Sequence, residues 1–319
     1  MNIVFGLDQS KYSKSAMEFF RHIQFPPRSN AYLVHVTQLS KLTKSSSRVG
    51  SGFLPSGLKV LREKAKTQAE AFVARMGKNL RGEDLTIQGV VVEGKPGEEI
   101  IKAIGAYKAS LVVVGSRGLS KLKRFFLGSV SEWVLRDAPC SVMISRPTAK
   151  QTKTDRVLKI IVAVDGSQDS MSSVDLLNSF QFTAPTKIVL LHVVRKHVYE
   201  TEQVLVADSK HREEFAQMAE RLLEEQGREG VKILSRVHKR LSPSFPSLEE
   251  RLAYGHEAHE ILKAARHTRA DLIIVGSRGL TRMRNFFLGS VSEKVVHHAP
   301  CSVLVSRPAK TGPKPSKQT

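Results

Sequence analysis

The chain has 319 residues, of which 41% are hydrophobic, 25% charged and 6% aromatic. At roughly 100–200 residues per domain this length predicts two domains, and the composition excludes collagen-like, disordered and membrane-embedded classes. With 50 Lys and Arg against 30 Asp and Glu, the net charge of +20 favours polyanionic partners, while only two cysteines exclude a disulfide-built secreted fold.

Short β-branched runs alternate with amphipathic stretches along the first half, which is the pattern of a parallel sheet covered by helices on both faces. A core helix is predicted over 59–80, where Leu61, Ala65, Ala69, Phe72 and Met76 recur at three- and four-residue spacing. A further helix is predicted over 130–137. The predicted strands of this half are 2–7, 31–36, 85–92, 111–114 and 141–145.

The second half repeats the first. Residues 272–308 align without a gap on 111–147 with 24 of 37 positions identical, and each half opens with an apolar run that ends in an aspartate. A period of about 160 residues indicates a duplicated globular domain rather than a solenoid. The predicted strands are 158–164, 187–194, 231–237, 272–275 and 302–306. With these strands, residues 239–254 are irregular and contain an insertion of about 15 residues relative to the first half.

Polar and Lys/Pro-rich stretches set the predicted domain boundaries. We predict domain 1 at 1–147, a linker at 148–156, domain 2 at 157–309 and a disordered basic tail at 310–319. Residues 40–57, rich in Ser, Gly and Lys, are predicted to be irregular. No apolar run reaches the ~18–20 residues that a bilayer requires, and no basic segment precedes an apolar one at the start, so we expect a cytoplasmic protein.

The strongest functional signal is a glycine motif after the fourth predicted strand of each half. Gly115-Ser116-Arg117-Gly118 is followed after nine residues by Gly128-Ser129, and Gly276-Ser277-Arg278-Gly279 is followed at the same spacing by Gly289-Ser290. In open parallel sheets ligands bind at the carboxyl ends of strands, where glycines let backbone N–H groups approach a phosphate or ribose. Ser129 with Glu132, and Ser290 with Glu293, match a capping box at the start of the next helix.

The glycine pair, its nine-residue spacer and the Gly-Ser pair, together with the aspartate that ends the first strand, resemble the ATP-binding type of the universal stress protein family. The resemblance covers both halves. It implies an α/β protein with two tandem, open five-stranded parallel sheets of order 3-2-1-4-5, flanked by helices in a Rossmann-like fold. It also implies ATP, ADP or AMP as the ligand, with Mg²⁺ bound mainly by the phosphates.

The resemblance assigns the site residues as follows. Asp8 and Asp165 would lie near the sugar and phosphates, and backbone groups of Val36 and Val193 near the adenine. Ribose and phosphate contacts fall to Gly115, Gly118, Gly128, Ser129 and Val130, and to Gly276, Gly279, Gly289, Ser290 and Val291. Arg117 and Arg278 lie inside the glycine turns, where we favour a phosphate or helix-end contact. In the first half Gln9 replaces the usual glycine, found at Gly166 in the second, which weakens the case for the first site.

Several other side chains have simpler structural explanations. We interpret His35 and His192 as core histidines, Cys140 and Cys301 as buried small residues, and Phe125-Phe126 and Phe286-Phe287 as packing residues rather than base-stacking platforms. His256, His259, His297 and His298 lack further ligands at suitable spacing, so no metal site beyond phosphate-bound Mg²⁺ is predicted. Lys121, Lys123, Arg124, Arg282 and Arg284 in the spacers either neutralise a triphosphate or are solvated.

The sequence predicts a regulatory, stress-related binding module with at most slow ATP hydrolysis, because it contains no Walker lysine motif, nucleophile elbow or paired catalytic carboxylates. The family resemblance also implies an internal pseudo-dimer of the two domains through their fifth strands, and it leaves homodimerisation open. Two alternatives stand beside this prediction. One is an adenine-nucleotide-using enzyme such as an ATPase or nucleotidyl transferase, and the other is a nucleic-acid-associated protein, which the charge of +20 would favour.

Overall fold

The structure is a computed structural model that describes residues 1–38, 55–78, 80–118, 127–147, 157–195, 209–241, 245–279 and 288–308. The chain divides into two compact units. Unit 1 contains Met1–Thr154, Ser179–Ala184 and Arg307–Thr319, and unit 2 contains Asp155–Asn178 and Pro185–Ser306. The predicted linker 148–156, the predicted tail 310–319 and residues 40–54 of the predicted irregular segment lie outside the described residues.

Unit 1 is an α/β unit with five long parallel strands. These strands are β1 (Asn2–Leu7), β3 (Asn30–Thr37), β5 (Thr86–Glu93), β6 (Leu111–Gly115) and β7 (Ser141–Ser145). They pair in the order β5-β3-β1-β6-β7, which is the order 3-2-1-4-5 that the family resemblance implies. The helices are α1 (Lys11–Phe20), α2 (Pro55–Gly77), α3 (Pro96–Ala106) and α4 (Ser129–Asp137). Short strands β2 (Ile23–Phe25), β4 (Arg81–Gly82) and β9 (Gln181–Phe182) form a small separate sheet.

Helix α2 covers most of the predicted helix 59–80, but only part of its predicted apolar stripe is core. Ala69, Phe72 and Met76 are buried, as the spacing predicts, because this part of the helix packs on β3 and β5. Leu61 is 48% exposed, so the prediction that it belongs to the core is wrong.

Unit 2 repeats the arrangement. Its long strands are β8 (Leu158–Ala163), β10 (Thr186–Arg195), β11 (Ser247–Gly255), β12 (Leu272–Gly276) and β13 (Ser302–Ser306), paired in the order β11-β10-β8-β12-β13. Its helices are α5 (Gln168–Asn178), α6 (Ser209–Arg240), α7 (Glu257–Thr268) and α8 (Ser290–His298). Among the helices of the described ranges, none combines the length and the apolar character that crossing a membrane would need.

The strand predicted over 231–237 is wrong, because these residues lie inside helix α6. Ile233, Leu234 and Val237 are buried at helical spacing, and the third strand of unit 2 is β11 instead. The predicted insertion of about 15 residues is therefore also wrong. Asp165 lies 157 residues after its equivalent Asp8, and Gly255 lies 161 residues after its equivalent Gly94. The second half therefore contains only four additional residues between these two positions.

Two glycines explain why α6 resembled a turn followed by a strand. A side-chain carbon at Gly230 would lie 2.6 Å from Cδ2 of His192 and 2.7 Å from Cδ1 of Leu252, and one at Gly227 would lie 2.6 Å from Oη of Tyr254. The glycines therefore allow the helix to approach β10 and β11 closely rather than interrupt it.

Candidate nucleotide-binding site

The topology brings the end of the first strand and the glycine turn to one edge of the sheet in each unit. In unit 1, β1 pairs with β6 so that Gly6 lies opposite Val114, which places Asp8 beside the turn 115–118. In unit 2, β8 pairs with β12 so that Val162 lies opposite Ile274. In both units the first strand has the second strand on its other side, so this edge is the switch point where ligands bind in such sheets.

The Asp8 carboxylate is held in one orientation by two serines. Its Oδ1 accepts hydrogen bonds from the N–H of Ser10 at 3.1 Å, from the Ser10 hydroxyl at 2.5 Å and from the Ser13 hydroxyl at 2.7 Å. Ser10 also caps helix α1, so the helix start and the carboxylate fix each other. Oδ2 faces the glycine turn, because a side-chain carbon at Gly118 would lie only 2.9 Å from it.

Asp165 of unit 2 keeps the backbone contact, whereas the Ser167 and Ser170 hydroxyls donate to the carbonyls of Arg278 and Ser167. Its Oδ1 accepts a hydrogen bond from the N–H of Ser167 at 3.0 Å. A side-chain carbon at Gly279 would lie 2.9 Å from Oδ2 of Asp165. The aspartate and the last glycine of the turn are therefore adjacent in both units.

The other glycines of unit 1 pack the turn against two helices. A side-chain carbon at Gly115 would lie 2.7 Å from Cβ of Tyr12 on α1, and one at Gly128 would lie 3.3 Å from Cα of Arg117. The Gly128 N–H donates to the Ser116 carbonyl at 2.9 Å. The turn and the start of α4 thus form one compact element in which backbone, not side chains, faces the aspartate.

Unit 2 builds the same element from its own residues. Gly276 packs against the backbone of Ser170, and Gly289 packs against the carbonyl of Ser277, to which its N–H donates at 2.7 Å. The Ser292 hydroxyl donates to the Gly276 carbonyl at 2.6 Å, as Ser131 of unit 1 does to the Gly115 carbonyl at 2.5 Å.

The capping boxes predicted at Ser129 and Ser290 are wrong. The N-cap residues are Gly128 and Gly289, and neither makes a side-chain cap hydrogen bond. Ser129 and Ser290 are instead the first residues of α4 and α8 and are exposed. The first-turn N–H groups lack intrahelical acceptors by geometry, so each helix presents these donors and its positive end beside an accessible hydroxyl.

The arginines inside the two turns have different neighbours. Arg117 lies over the ring of Tyr12, with Nη1 3.4 Å from the phenol oxygen. Arg278 lies with Nε 3.6 Å from Oδ2 of Asp169, which occupies the position equivalent to Tyr12 and is 4% exposed. Asp169 also accepts a hydrogen bond from the Ser277 hydroxyl at 2.5 Å. The arginine of unit 2 therefore lies beside a carboxylate, whereas that of unit 1 lies over an aromatic ring.

The remaining predicted site residues lie around the same edge. Val36 follows the last registered pair between β3 and β1, and Val193 lies beyond the last registered pair between β10 and β8. Both are half-buried, as are Val130 and Val291 in the first turns of α4 and α8. The structure thus brings the aspartate, the turn glycines and the serine together in each unit.

The structure describes some of the residues that we interpreted as structural, and others lie outside the described ranges. Nδ1 of His35 donates to the Leu7 carbonyl and Nδ1 of His192 to the Val164 carbonyl, both at 2.8 Å, so both imidazoles are hydrogen-bonded, but they are half-buried rather than fully in the core. Cys140 and Cys301 are buried thiols, and burial raises the pKa of Cys140 to about 11. The spacer residues lie outside the described ranges: Lys121, Lys123, Arg124, Phe125, Phe126, Arg282, Arg284, Phe286 and Phe287. Within the described ranges no group of three or more His, Cys, Asp or Glu could hold a metal ion.

Sequence reasoning missed the serines that follow the aspartates. Ser10 and Ser13 orient Asp8, and the N–H of Ser167 contacts Asp165. Ser10 and Ser13 follow Asp8 at the same spacing at which Ser167 and Ser170 follow Asp165. Comparison of the two halves at this point would have found the repeated Asp-x-Ser-x-x-Ser pattern. It would also have found the exchange between Tyr12 and Asp169, although their contacts with the arginines depend on the fold.

Comparison with known proteins agrees with this architecture. A universal stress protein of Bacillus subtilis (strain 168), YxiE, is 32% identical over 151 residues, covering 47% of this chain and 98% of that protein. The crystal structure of a universal stress protein from Archaeoglobus fulgidus DSM 4304 covers 96% of both chains with a TM-score of 0.54 and 21% identity, which supports the fold. A family protein from Arabidopsis thaliana with AMP bound covers 49% of this chain at 21% identity and a TM-score of 0.31, too low a likeness to indicate this chain's ligand.

The sequence profile of the Universal stress protein family matches residues 1–146 and again residues 157–307. The two matches together span most of the chain, and each contains a complete set of five parallel strands with its own glycine turn. The chain therefore belongs to the universal stress protein family and carries two of its domains in tandem.

Proposed function

We propose that each unit binds one adenine nucleotide, ATP or its products, and that the chain acts as a regulatory binding module in the stress response with at most slow ATP hydrolysis. One repeated observation carries the proposal. In both units a carboxylate oxygen of an aspartate lies beside the last glycine of the turn, and the turn packs against the start of a helix whose first residue is an exposed serine. Two copies of one arrangement are hard to explain by packing alone.

The chemistry of these groups fits a polyphosphate. N–H groups and the positive end of α4 or α8 favour a bound anion, and the Ser129 or Ser290 hydroxyl adds a donor at the same place. Mg²⁺ commonly takes one or two carboxylates together with phosphate oxygens. Oδ2 of Asp8 and Oδ2 of Asp165 face the turns and would supply those carboxylates, either to the ion or to a ribose hydroxyl. The residues present therefore fit a nucleotide with Mg²⁺.

The nucleotide content of the protein tests this proposal directly. Mass spectrometry of nucleotide released from gently purified protein should identify an adenine nucleotide, and calorimetry of the nucleotide-free chain with Mg-ATP should give two nucleotides per chain. Protein that carries no nucleotide and shows no heat of binding with ATP, ADP or AMP would contradict it.

Two variants assign the sites. Gly128→Val and Gly289→Val each add a side chain where a carbon would lie 3.3 Å from backbone atoms of the turn. Each variant should lose one of the two bound nucleotides, and the double variant both. Gly105→Ala is the control, because nothing lies within 4 Å of an added carbon there. Phosphate release at several per second that the double variant abolishes would instead favour an enzyme.

The association of the two units as an internal pseudo-dimer, and of whole chains as a homodimer, belongs to the same proposal. A module that acts through partners is expected to change the surface it presents when nucleotide binds. Sedimentation of the full chain with and without Mg-ATP measures whether its mass or shape responds, and an unchanged profile would contradict nucleotide-controlled association.

A further inference from the structure

Unit 2 contains a cavity of about 240 Å³ far along the sheet from the nucleotide edge. Its walls come from the beginnings of β8, β10 and β11 and from the last turn of α7, whereas Asp165 follows the end of β8. Ile161 and Val189 are buried at its floor, and Lys159, Lys187 and Arg251 also line it. This space is called the amino-end cavity below.

Unit 1 shows which side chains fill the equivalent place in the other copy. Ile161 lies opposite Val189 in unit 2, and in unit 1 the same register position pairs Val4 with Tyr32. Tyr32 stacks on Tyr107 with ring centroids 3.8 Å apart and planes 10° from parallel. Unit 2 has Val189 and Thr268 at the equivalent positions. Two stacked aromatic rings are thus absent from unit 2, and the amino-end cavity occupies their place.

The polar residues around the same place have changed as well. In unit 1, Asn30 donates to Asn2 at 2.9 Å, and Asn2 donates to the Tyr107 carbonyl at 2.7 Å, so the neutral side chains satisfy one another. In unit 2 the equivalent residues are Lys187 and Lys159, which are directly opposite each other on neighbouring strands. Like charges in that arrangement repel and destabilise the pair. An anion between the two ammonium groups would relieve the repulsion.

Neighbouring charges only partly compensate the lysines. Glu249 accepts from Lys187 at 3.0 Å and from Arg251 at 2.7 Å, and these bonds lower the pKa of its carboxyl group. Within the lining, Glu249 faces the cationic side chains of Lys159, Lys187 and Arg251, and His267 adds an imidazole. A second carboxylate lies next to the lining, because Oδ2 of Asp271 accepts a hydrogen bond from the Lys159 N–H at 3.0 Å. The amino-end cavity is apolar at its floor and positive at its rim.

We propose that the amino-end cavity binds a small aromatic anion, with its ring beside Thr268 and over the buried Val189, and its carboxylate or phosphate between Lys159 and Lys187. The ring takes the place of the tyrosine rings of unit 1, and the volume admits a single-ring compound rather than a nucleotide. In unit 1 the neutral asparagine side chains bond to one another at this place. In unit 2 the acid group of the ligand would instead accept charge-assisted hydrogen bonds from the lysines. The site is separate from the two glycine turns.

Titration with benzoate and phenyl phosphate, followed by NMR of the full chain, tests the proposal. Both are expected to bind at a dissociation constant of about 1 mM or below, and benzyl alcohol and inorganic phosphate at least about tenfold more weakly, since each lacks one half of the ligand. Both probes are aromatic anions, and a comparison of their affinities shows whether the site prefers a carboxylate or a phosphate. Equal binding of benzyl alcohol, or no binding of either acid at about 10 mM, would overturn the proposal.

Two variants locate the binding. Val189→Tyr with Thr268→Tyr rebuilds the filling of unit 1 and should abolish binding, while thermal unfolding reports whether the chain stays folded. Lys159→Asn with Lys187→Asn removes both positive charges and restores the neutral pair of unit 1, and it should weaken binding at least about tenfold, because the charge-assisted contacts are lost. If the tyrosine variant does not fold, the asparagine variant decides alone. Unchanged affinity in a folded variant of either kind would contradict the site.

Discussion

At the residue scale, the glycine turn is shaped by the protein's own aspartate. Oδ2 of Asp8 lies where a side chain at position 118 would begin, and Oδ2 of Asp165 does the same at position 279. The sequence indicates that glycine is needed for backbone approach to a ligand. It cannot indicate that the nearest atom is a carboxylate oxygen, because that contact joins residues more than 100 positions apart.

Gly118→Ala is therefore expected to destabilise unit 1 by about 1–3 kcal/mol, the usual cost of forcing a carbon into a filled place. It should also weaken nucleotide binding to unit 1 while leaving unit 2 unaffected. Chemical denaturation and calorimetry measure the two effects. In the control Gly105→Ala, stability should stay the same or rise by up to about 1 kcal/mol, since the added methyl meets nothing. Equal stability of both variants would contradict the expected crowding at Gly118.

Cys140 should react slowly with alkylating reagents. Burial raises the pKa of its thiol from 9.0 to about 11, and the thiolate is the reactive form. At pH 8 the thiolate fraction is then about 100-fold lower than in an unfolded chain, and reactivity should climb as the pH approaches 11. Peptide mass mapping after iodoacetamide treatment reads Cys140 separately from Cys301. Labelling as fast in the native chain as in guanidinium would be the contrary result.

At the scale of elements, helix α6 illustrates how tertiary packing overrides a local pattern. Residues 231–237 are rich in β-branched side chains, and Gly227 and Gly230 precede them, so a turn and a strand are the natural prediction. The glycines instead accommodate Tyr254 and His192 of the neighbouring strands. Helix propensity alone would favour alanine at both positions.

Gly230→Ala tests this explanation, since propensity and packing predict opposite signs. An added carbon would meet the His192 ring, which its hydrogen bond to the Val164 carbonyl keeps in place. A loss of about 1–3 kcal/mol in the free energy of unfolding is expected by denaturant titration, against no loss for Gly105→Ala. A gain in stability at Gly230 would show that the helix does not approach the sheet this closely.

At the scale of the whole molecule, the duplication determines which features of the fold and the site could be predicted from the sequence. The strands that border the site, β1, β6, β8 and β12, could be predicted because each is a short apolar run whose copy appears in the other half. The same comparison makes the glycine turns visible. The consequence of exchanging Tyr32 for Val189 is not visible in the sequence, because Tyr32 stacks on Tyr107, which follows helix α3 far along the chain.

The two copies are also expected to differ in affinity for nucleotide. Asp169 places a buried carboxylate beside Arg278, whereas Tyr12 stands at that position in unit 1. Asp169→Asn keeps an acceptor for the Ser277 hydroxyl but removes the charge, so Arg278 becomes available to a phosphate and unit 2 should bind Mg-ATP several-fold more tightly. Calorimetry in the Gly128→Val background isolates unit 2. An unchanged or weaker affinity would show that the ion pair does not compete with the ligand.

The meeting of Asp8 with Gly118 has a consequence for synthesis on the ribosome. The aspartate leaves the exit tunnel early, whereas the turn and the helix that complete its surroundings are translated more than 100 residues later. A nascent chain that ends before helix α4 has β1 and β3 but lacks half of the proposed pocket. If unit 1 binds nucleotide as proposed, the nucleotide can assist its folding only after about 130 residues have emerged, and unit 2 requires synthesis of its own glycine turn in the same way.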